Sequence, residues 1–228
     1  MKIFGLLFIF CLANTFAQSS STGDEDVVLI TDGEGVITSG FTTKAPEVIT
    51  KGNVYLFDNW VDKAQLFTKN KKKYIITGLN YNIKSDNFEI KMPNDSVFIL
   101  DGNYIDHLNI KGTVFKKENV RNNVDFYEIL LKKENISLYK KHKVRLIQGK
   151  FNPLDGSQQP NRYYKYFEYY LIKSDQSKKV NLKKKEIVSF LSDKSDDIKN
   201  YTKKNKLSYK NEKDVVKILT HYESLQQN

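Results

Sequence analysis

The chain has 228 residues, a formal net charge of +10, a single cysteine, and a hydrophobic content of 39%. A chain of this length can bury a sizeable core without disulfide bridges. One cysteine excludes an intramolecular disulfide and any zinc or iron–sulfur site built from several thiolates. The excess of positive charge favours anionic partners, which include nucleic acid, anionic lipid and acidic polymers.

Residues 1–17 have the pattern of a cleavable secretory signal peptide. After a short basic end, the apolar run Ile3–Leu12 is too short to span the hydrocarbon core of a bilayer, which is about 30 Å thick. Thr15 and Ala17 supply the small side chains that a signal peptidase site needs. We therefore expect cleavage before Gln18, and an exported mature chain that has lost the only cysteine.

Residues 18–51 form a segment that is rich in Ser, Thr and Gly. Positions 18–50 hold six acidic residues and one basic residue, and the segment contains one convincing apolar run, Val27–Ile30. This composition predicts an acidic, mobile leader with one strand at the apolar run.

Residues 52–182 show a period of two and frequent turn residues, which is typical of short antiparallel strands. The connections leave no room for crossover helices, so a parallel α/β sheet is excluded and an antiparallel β-meander is predicted. The expected strands are Tyr55–Phe57, Ala64–Phe67, Tyr74–Tyr81, Phe88–Ile90, Val97–Leu100, Tyr104–Ile110, Asp125–Leu131, Ile136–Tyr139, Val144–Ile147 and Tyr163–Ile172. A polar loop is expected at residues 152–162.

Residues 183–224 change to the helical period and predict a basic tail of two or three short helices. The first is expected at Glu186–Leu191, and Ser195 is the predicted N-cap of the second. Asn211 precedes Asp214 by three residues, which resembles a capping box at the start of the third helix. The third helix carries an apolar stripe of Val215, Ile218, Leu219 and Tyr222. The predicted fold class is α+β, with an antiparallel β-meander sheet followed by this tail.

Several segments resemble an uncharacterised family of exported proteins of Bacteroidetes. They are Gly52–Leu56, Leu79–Asn82, Phe126–Leu130, Ser137–Lys141, and the close of the chain from Lys203 to Tyr222. The resemblance covers roughly Gly52–Ser224 and lies on packing and turn positions. It implies the fold and an exported location, in the periplasm or peripheral to an envelope membrane. It implies no activity and no functional residues.

Catalytic, metal-binding and cofactor motifs are missing from the sequence. The three histidines, His107, His142 and His221, lack metal-ligand spacing, and no HExxH, GxSxG or phosphate-binding glycine loop occurs. We therefore expect no cofactor and no metal ion.

The most unusual stretch is the aromatic run from Arg162 to Tyr170. On a strand, Tyr163, Phe167 and Tyr169 would face one side, and Tyr164, Tyr166 and Tyr170 the other. One interpretation buries both faces, against the sheet core and against the helical tail. The other leaves one face exposed to stack on sugars, bases or a peptide. The candidate binding surface consists of Arg162, Tyr164, Lys165, Tyr166 and Tyr170.

Three functions are compatible with this pattern. The first is a non-enzymatic envelope protein that binds another envelope component, either a protein or a polymer. The second is a hydrolase whose carboxylates form no motif; it would need a cleft with two acids about 5 to 10 Å apart. The third is salt-sensitive binding of an anionic polymer or lipid by the basic tail, since residues 178–217 hold thirteen lysines and six acidic residues. Export speaks against intracellular nucleic acid as a partner.

Overall fold

The computed structural model of the protein describes residues 30–31, 36–37, 40–44, 50–150, 154, 159–174 and 176–226. Its strands are β1 (Ile30–Thr31), β2 (Val36–Ile37), β3 (Gly40–Lys44), β4 (Ala64–Thr68), β5 (Lys73–Ile76), β6 (Leu79–Asn82), β7 (Asn87–Lys91), β8 (Ser96–Leu100), β9 (Ile105–Ile110), β10 (Thr113–Val120), β11 (Asn123–Lys132), β12 (Ser137–Ile147), β13 (Arg162–Lys173) and β14 (Gln176–Val180). Its helices are α1 (Lys184–Phe190), a 3-10 turn (Ser192–Lys194), α2 (Ser195–Lys204) and α3 (Glu212–Ser224).

Two antiparallel sheets form the body of the molecule. The large sheet has eight strands in the order β14-β13-β12-β11-β10-β9-β4-β5, and the small sheet has the order β3-β8-β7-β6. Strands β9 to β14 follow one another as a continuous meander, and the β4–β5 hairpin extends it beyond β9. The predicted α+β class, with an antiparallel sheet and a C-terminal helical tail, is confirmed. The second sheet was not predicted.

The predicted strand Tyr74–Tyr81 is two strands that belong to different sheets. The chain turns at Gly78, whose φ of +70° is a left-handed conformation that glycine adopts without strain. The carbonyl oxygen of Gly78 accepts a hydrogen bond from the backbone nitrogen of Lys91, at 2.9 Å. Gly78 therefore marks the point at which the chain leaves the large sheet and enters the small one.

Other strand boundaries also differ from the prediction. Tyr55–Phe57 is not a strand, because only Tyr55 forms a bridge, to Asn82. Residues Val144–Ile147 are the end of the long strand β12. Strand β10 was missed, although two tight turns bound it. In both turns the central residues have positive φ, as two-residue hairpins with matched twist require; these residues are Lys111, Gly112, Arg121 and Asn122.

The two faces of the large sheet differ in what packs on them. Leu138 and Tyr139 are neighbours on β12 but point to opposite faces. Leu138 belongs to the apolar core beneath the helices, and Tyr139 belongs to a separate cluster on the other face. The small sheet packs on the same face as the helices, further along, around Phe115 and Leu108. We call this the covered face. The cluster around Tyr139 contains only residues of the large sheet among those described, and we call its side the open face.

The helical tail docks on the covered face through its apolar stripe. Val215, Ile218, Leu219 and Tyr222 of α3 are fully buried against the sheet and the other helices. Asn211 caps α3 as predicted, with its side chain accepting a hydrogen bond from the Asp214 nitrogen at 3.1 Å. The prediction for Ser195 is wrong.

Ser195 is the first residue of α2, and the N-cap is Lys194, which makes no capping hydrogen bond through its side chain. The reason is that the chain enters α2 directly from the 3-10 turn, so no extended residue precedes it.

Several predictions concern segments that the structure covers in part or not at all. The signal peptide and Val27–Leu29 lie outside the described residues, as does most of the polar loop. Within the segment 18–51, Gly40–Lys44 pairs with β8. No helix in the described part of the chain is both long enough and apolar enough to cross a membrane.

Candidate binding surface on the open face

An arginine stacked on two tyrosines forms the centre of the open face. In the register of β12 and β13, Arg145 lies opposite Tyr164, and Lys143 lies opposite Tyr166. The guanidinium carbon of Arg145 is 5.0 Å from the centroid of the Tyr164 ring and 5.8 Å from that of Tyr166. The two rings are 6.3 Å apart and inclined by 20°. We call Arg145, Tyr164 and Tyr166 the aromatic platform.

The platform is accessible to solvent. Tyr164 is 48% exposed, and Arg145 is also exposed. A guanidinium held over aromatic rings is attracted by their negative faces, and its planar fork keeps its hydrogen-bond donors at the edge. The platform therefore presents ring surface and unpaired cationic donors side by side.

The other predicted surface residues do not all join the platform. Arg162 is exposed at the start of β13, opposite Ile147 in the ladder. Tyr170 lies further along the open face. Lys165 lies on the covered face, where its Nζ atom is 3.8 Å from an oxygen of Asp58, so it does not contribute to this surface.

An ion-paired carboxylate, that of Glu168, separates the platform from Tyr170. Glu168 accepts a hydrogen bond from the Tyr170 hydroxyl at 2.8 Å and forms an ion pair with Lys179. Burial and the bond to Glu168 raise the pKa of Tyr170 to about 12. Burial alone would raise the pKa of Glu168, but the hydrogen bonds from Lys179 and Tyr170 outweigh it and hold that pKa below its usual range. Glu168 is therefore charged at neutral pH and already paired.

A polar pocket of about 360 Å³ adjoins the platform. It is lined by Val120, Arg121, Asn123, Asp125, Tyr127, Lys143 and Tyr170. Lys143 joins the two features, because it lines the pocket and pairs with Tyr166 in the ladder. The one carboxylate in the lining, Asp125, lies 3.6 Å from the Nζ atom of Lys141. Besides Asp125, whose charge Lys141 offsets, the pocket lining combines an amide, two phenols and two cations, which are groups that bind hydroxyls and anions.

The opposite side of β13 is occupied by the helical tail. The hydroxyl of Tyr169 donates a hydrogen bond to Glu212 of α3, and Tyr169 is buried. Phe167 keeps 51% exposure, with the Lys140 ammonium 4.7 Å from its ring centroid. The interpretation in which both faces of the aromatic run are buried is therefore wrong, since the face of Tyr164 is open.

Sequence reasoning missed the most important cation of this surface, Arg145, and its neighbour Lys143. A signal for them was present, because Lys141, Lys143 and Arg145 occupy alternate positions and must share a face on a strand. Their alignment with Tyr164 and Tyr166 could not be predicted from the sequence, because it depends on the register between β12 and β13, which are joined by a loop.

The described residues contain no group of three or more His, Cys, Asp or Glu side chains that could hold a metal ion. In the polar pocket, Asp125 has no second acid beside it in the lining, so the pocket does not supply the pair of carboxylates that a glycosidase uses. The groups on this surface are suited to binding a ligand by stacking, hydrogen bonding and charge.

No protein-family model, curated protein sequence or solved structure significantly matches this chain.

Proposed function

We propose that this protein is a non-enzymatic envelope protein that binds an anionic polysaccharide on the open face of its large sheet. The observation that carries the proposal is the exposed stack of Arg145 on Tyr164 and Tyr166. Neither Arg145 nor Lys143 forms an ion pair with a carboxylate of the described residues. Because no carboxylate of the described residues pairs with it, the exposed guanidinium of Arg145 can bind an anionic ligand.

A polysaccharide fits the chemistry of this surface better than an apolar ligand does. The face of a tyrosine ring packs against the C–H face of a sugar, while its hydroxyl still reaches polar groups. The exposed amide of Asn123 in the pocket offers hydrogen bonds to sugar hydroxyls. The cations Arg121, Lys143 and Arg145 favour a chain that carries carboxylate or ester anions.

The shape of the surface also favours a chain over a single small molecule. Arg162, Tyr164, Tyr166, Glu168 and Tyr170 occupy alternate positions on one strand. Alternate residues of a strand are about 7 Å apart, so these five side chains form a row along which successive sugar units could lie. The pocket beside Lys143 then receives one unit from the side.

The proposed location rests on the sequence. A signal-peptide pattern at residues 1–17 and the resemblance to exported Bacteroidetes proteins support secretion to the periplasm or to the surface of an envelope membrane. Acidic polysaccharides are components that an exported protein meets there, whereas nucleic acids of the cell interior are not.

Calorimetric titration of the purified protein tests the proposal, with alginate and dextran sulfate as acidic chains and neutral dextran as the reference. Tyr164→Ala should weaken binding of the acidic chain about tenfold, because it removes the exposed ring face on which a sugar unit would pack, and a tenfold change corresponds to about 1.4 kcal/mol. Arg145→Gln should weaken it and reduce its dependence on salt. Phe167→Ala is the matched control, as an equally exposed aromatic on the same strand but the covered face.

Equal losses from Tyr164→Ala and Phe167→Ala would overturn the proposal, and so would equal affinity for neutral dextran. A loss caused instead by Lys203→Gln with Lys204→Gln would move the binding site to the basic tail. Both of these lysines are exposed at the end of α2, so their replacement leaves the fold intact.

A further inference from the structure

A second cluster of aromatic and charged side chains lies on the large sheet, towards the opposite end of its strand order from the platform. The rings of Phe67 on β4 and His107 on β9 are stacked, with their centroids 4.2 Å apart and their planes inclined by 10°. The ammonium group of Lys73 on β5 is 5.4 Å from the centroid of the Phe67 ring. We call Phe67, Lys73, Asp106, His107 and Lys116 the histidine cluster.

The strand register places this cluster on the open face. Leu108 belongs to the core of the covered face, so its neighbour His107 points to the other side of the sheet. Phe67 lies opposite His107 on β4. Lys116 lies opposite His107 on one side and Tyr127 on the other, and Tyr127 belongs to the cluster of the open face. The histidine cluster and the platform therefore share one face.

A β-bulge brings a carboxylate to the histidine. Consecutive residues of β4 lie opposite Ile105 and His107, so Asp106 is an extra residue on β9. One oxygen of Asp106 lies 2.7 Å from the Nδ1 atom of His107, and the other lies 2.9 Å from the Nζ atom of Lys116. The hydrogen bonds from His107 first, and from Lys116, hold the pKa of Asp106 below its usual range. Asp106 is therefore charged at neutral pH and fixes the imidazole ring in place.

Two amide side chains border the stacked rings. Gln65 is two residues before Phe67 on β4, and it lies opposite Asn109, which is two residues after His107 on β9. Both amides are partly exposed, and their nitrogen atoms donate to no described residue. Because alternate residues of a strand share a face, these donors lie beside the rings. Amides bind hydroxyl groups as donors and as acceptors, so they suit a sugar that packs against the rings.

The lysines favour an anionic ligand at this position. Lys73 is exposed and forms no ion pair with a described residue. Lys116 is shared with Asp106, whose second oxygen is already bonded to His107. Within the cluster, two ammonium groups thus stand against one carboxylate, and Lys73 is the cation left for a ligand.

A row of side chains connects the cluster with the platform. Tyr127, which lies opposite Lys116, lines the polar pocket. Lys143 lines the same pocket and lies opposite Tyr166 of the platform. Five strand spacings separate β4 from β13, which amounts to about 24 Å at about 4.8 Å per spacing. A sugar unit that enters the pocket from the side of β13 lies on this row, so the same polymer can continue from it across the strands.

We propose that the histidine cluster is a second subsite for the acidic polysaccharide, so that one chain lies across the sheet from the platform to Phe67. The inference rests on the proposed function, because it describes how far the ligand of the open face extends. The rings and the two amides hold a sugar unit, and Lys73 and Lys116 bind its anionic group.

Titration calorimetry with a long alginate chain and an alginate trisaccharide tests the second subsite. The long chain occupies both sites at once, which raises its affinity above that of the trisaccharide. Phe67→Ala and Lys73→Gln should each reduce the ratio of the two affinities about fivefold, because each weakens one of the two linked contacts. The affinity of the trisaccharide should fall by no more than about twofold, since the platform still binds it.

Lys117→Gln is the matched control. It removes the same charge from β10 on the covered face, where the Nζ atom of Lys117 is 5.6 Å from the ring centroid of Phe126, and it should leave the ratio unchanged. Thermal unfolding of each variant without ligand checks that it folds. Lys73→Gln changes an exposed side chain, so it decides the question if Phe67→Ala is unstable.

The second subsite would be overturned if Phe67→Ala and Lys73→Gln left the ratio at the value of the parent protein, or if Lys117→Gln lowered it equally. With either result, the proposed function still stands provided that Tyr164→Ala weakens binding of both ligands. If Tyr164→Ala weakened neither, the proposed function would fall, and the second subsite with it.

Discussion

The ammonium group of Lys141 forms an ion pair with the carboxylate of Asp86 in a gap where two strands of the large sheet separate. The pairing of β11 with β12 starts at Glu128 and Lys140, so the backbone of Phe126 has no partner on β12. Asp86 and Lys141 take the place of that partner. Asp86 accepts from the Phe126 nitrogen at 3.1 Å, and Lys141 donates to the Phe126 carbonyl oxygen at 3.2 Å.

This ion pair also ties the small sheet to the large one. Asp86 lies in the turn between β6 and β7, and its φ of +58° turns the chain tightly there. Lys141 is only 3% exposed, and its Nζ atom lies 3.4 Å from the hydroxyl of Tyr81. Burial, and second to it the interaction with Asp86, raises the pKa of Tyr81 well above the usual range. The phenol is therefore protonated and donates its hydrogen bond to Asp86.

Lys141→Met should destabilise the protein by about 3 to 5 kcal/mol, because it leaves the partly buried Asp86 without its counter-ion and the Phe126 carbonyl without a donor. Methionine keeps most of the volume, so the loss reports the polar interactions. The measurement is the free energy of unfolding in urea at pH 7. Lys143→Met, at a neighbouring position on the same face that has no ion pair with any described residue, should change it by less than about 0.5 kcal/mol.

Asp86→Asn tests whether the two residues act on each other, since asparagine tolerates positive φ but lacks the charge. The double variant with Lys141→Met should give a coupling energy of about 1 to 3 kcal/mol. Additive effects of the two substitutions would show that the pair is not the link between the sheets.

The sequence predicted those strands whose apolar residues alternate cleanly. In strand β9, Leu108 and Ile110 alternate with the polar residues His107 and Asn109, and the strand was found. Strand β10 was missed because Lys116, Lys117 and Glu118 interrupt its pattern. The structure explains this polarity: the Nζ atom of Lys116 lies 2.9 Å from Asp106 on β9, so cross-strand charge pairs take the place of apolar contacts.

The residues that β13 contributes to the candidate surface could be predicted from the sequence, but those that β12 contributes could not. Aromatic density identified Tyr164 and Tyr166, because that information is local. Arg145 precedes Tyr164 by nineteen residues. The two lie opposite each other only because of the register between β12 and β13, which the loop between these strands sets.

Gly78→Ala should cost about 1 to 2 kcal/mol of stability, because a side chain makes the left-handed conformation unfavourable. A Cβ atom there would lie 3.6 Å from the Lys91 carbonyl oxygen, which is ordinary contact, so the cost is conformational. Gly78→Asn should cost less than Gly78→Ala, since asparagine tolerates this conformation better. Urea unfolding gives the comparison, and the reverse order of the two variants would contradict the explanation. Thr77→Ala, at the exposed neighbouring position, should have little effect.

Asn211→Ala should destabilise the protein by about 1 kcal/mol, because the Asp214 nitrogen loses its capping acceptor. Ser195→Ala should change stability by only a few tenths of a kcal/mol, because Ser195 lies inside α2 and caps nothing. Asn and Ser are both residue types that commonly cap helices, so comparing the two substitutions separates the effect of residue type from the effect of position. Equal losses at the two positions, measured by thermal and urea unfolding, would show that the helix start at Ser195 has been placed wrongly.

Glu212 should make the docking of α3 dependent on pH. Its carboxylate accepts from the Lys140 ammonium at 2.8 Å and from the Tyr169 hydroxyl. Burial alone would raise the pKa of Glu212, but these hydrogen bonds outweigh it and hold the pKa below its ordinary value of 4.5. The folded state thus binds the proton less tightly than the unfolded state. The stabilisation is complete above about pH 4.5 and is lost as the pH falls through the folded pKa.

Glu212→Gln isolates this contribution from those of other carboxylates that titrate in the same range, such as Glu168 and Asp193. The quantity to measure is the difference in unfolding free energy between the parent and Glu212→Gln, from urea titrations between pH 7 and pH 3. It should be constant from pH 7 to about pH 5 and should shrink below that. A difference that stays constant to pH 3, or grows as the pH falls, would mean that the charge of Glu212 does not hold α3 on the sheet.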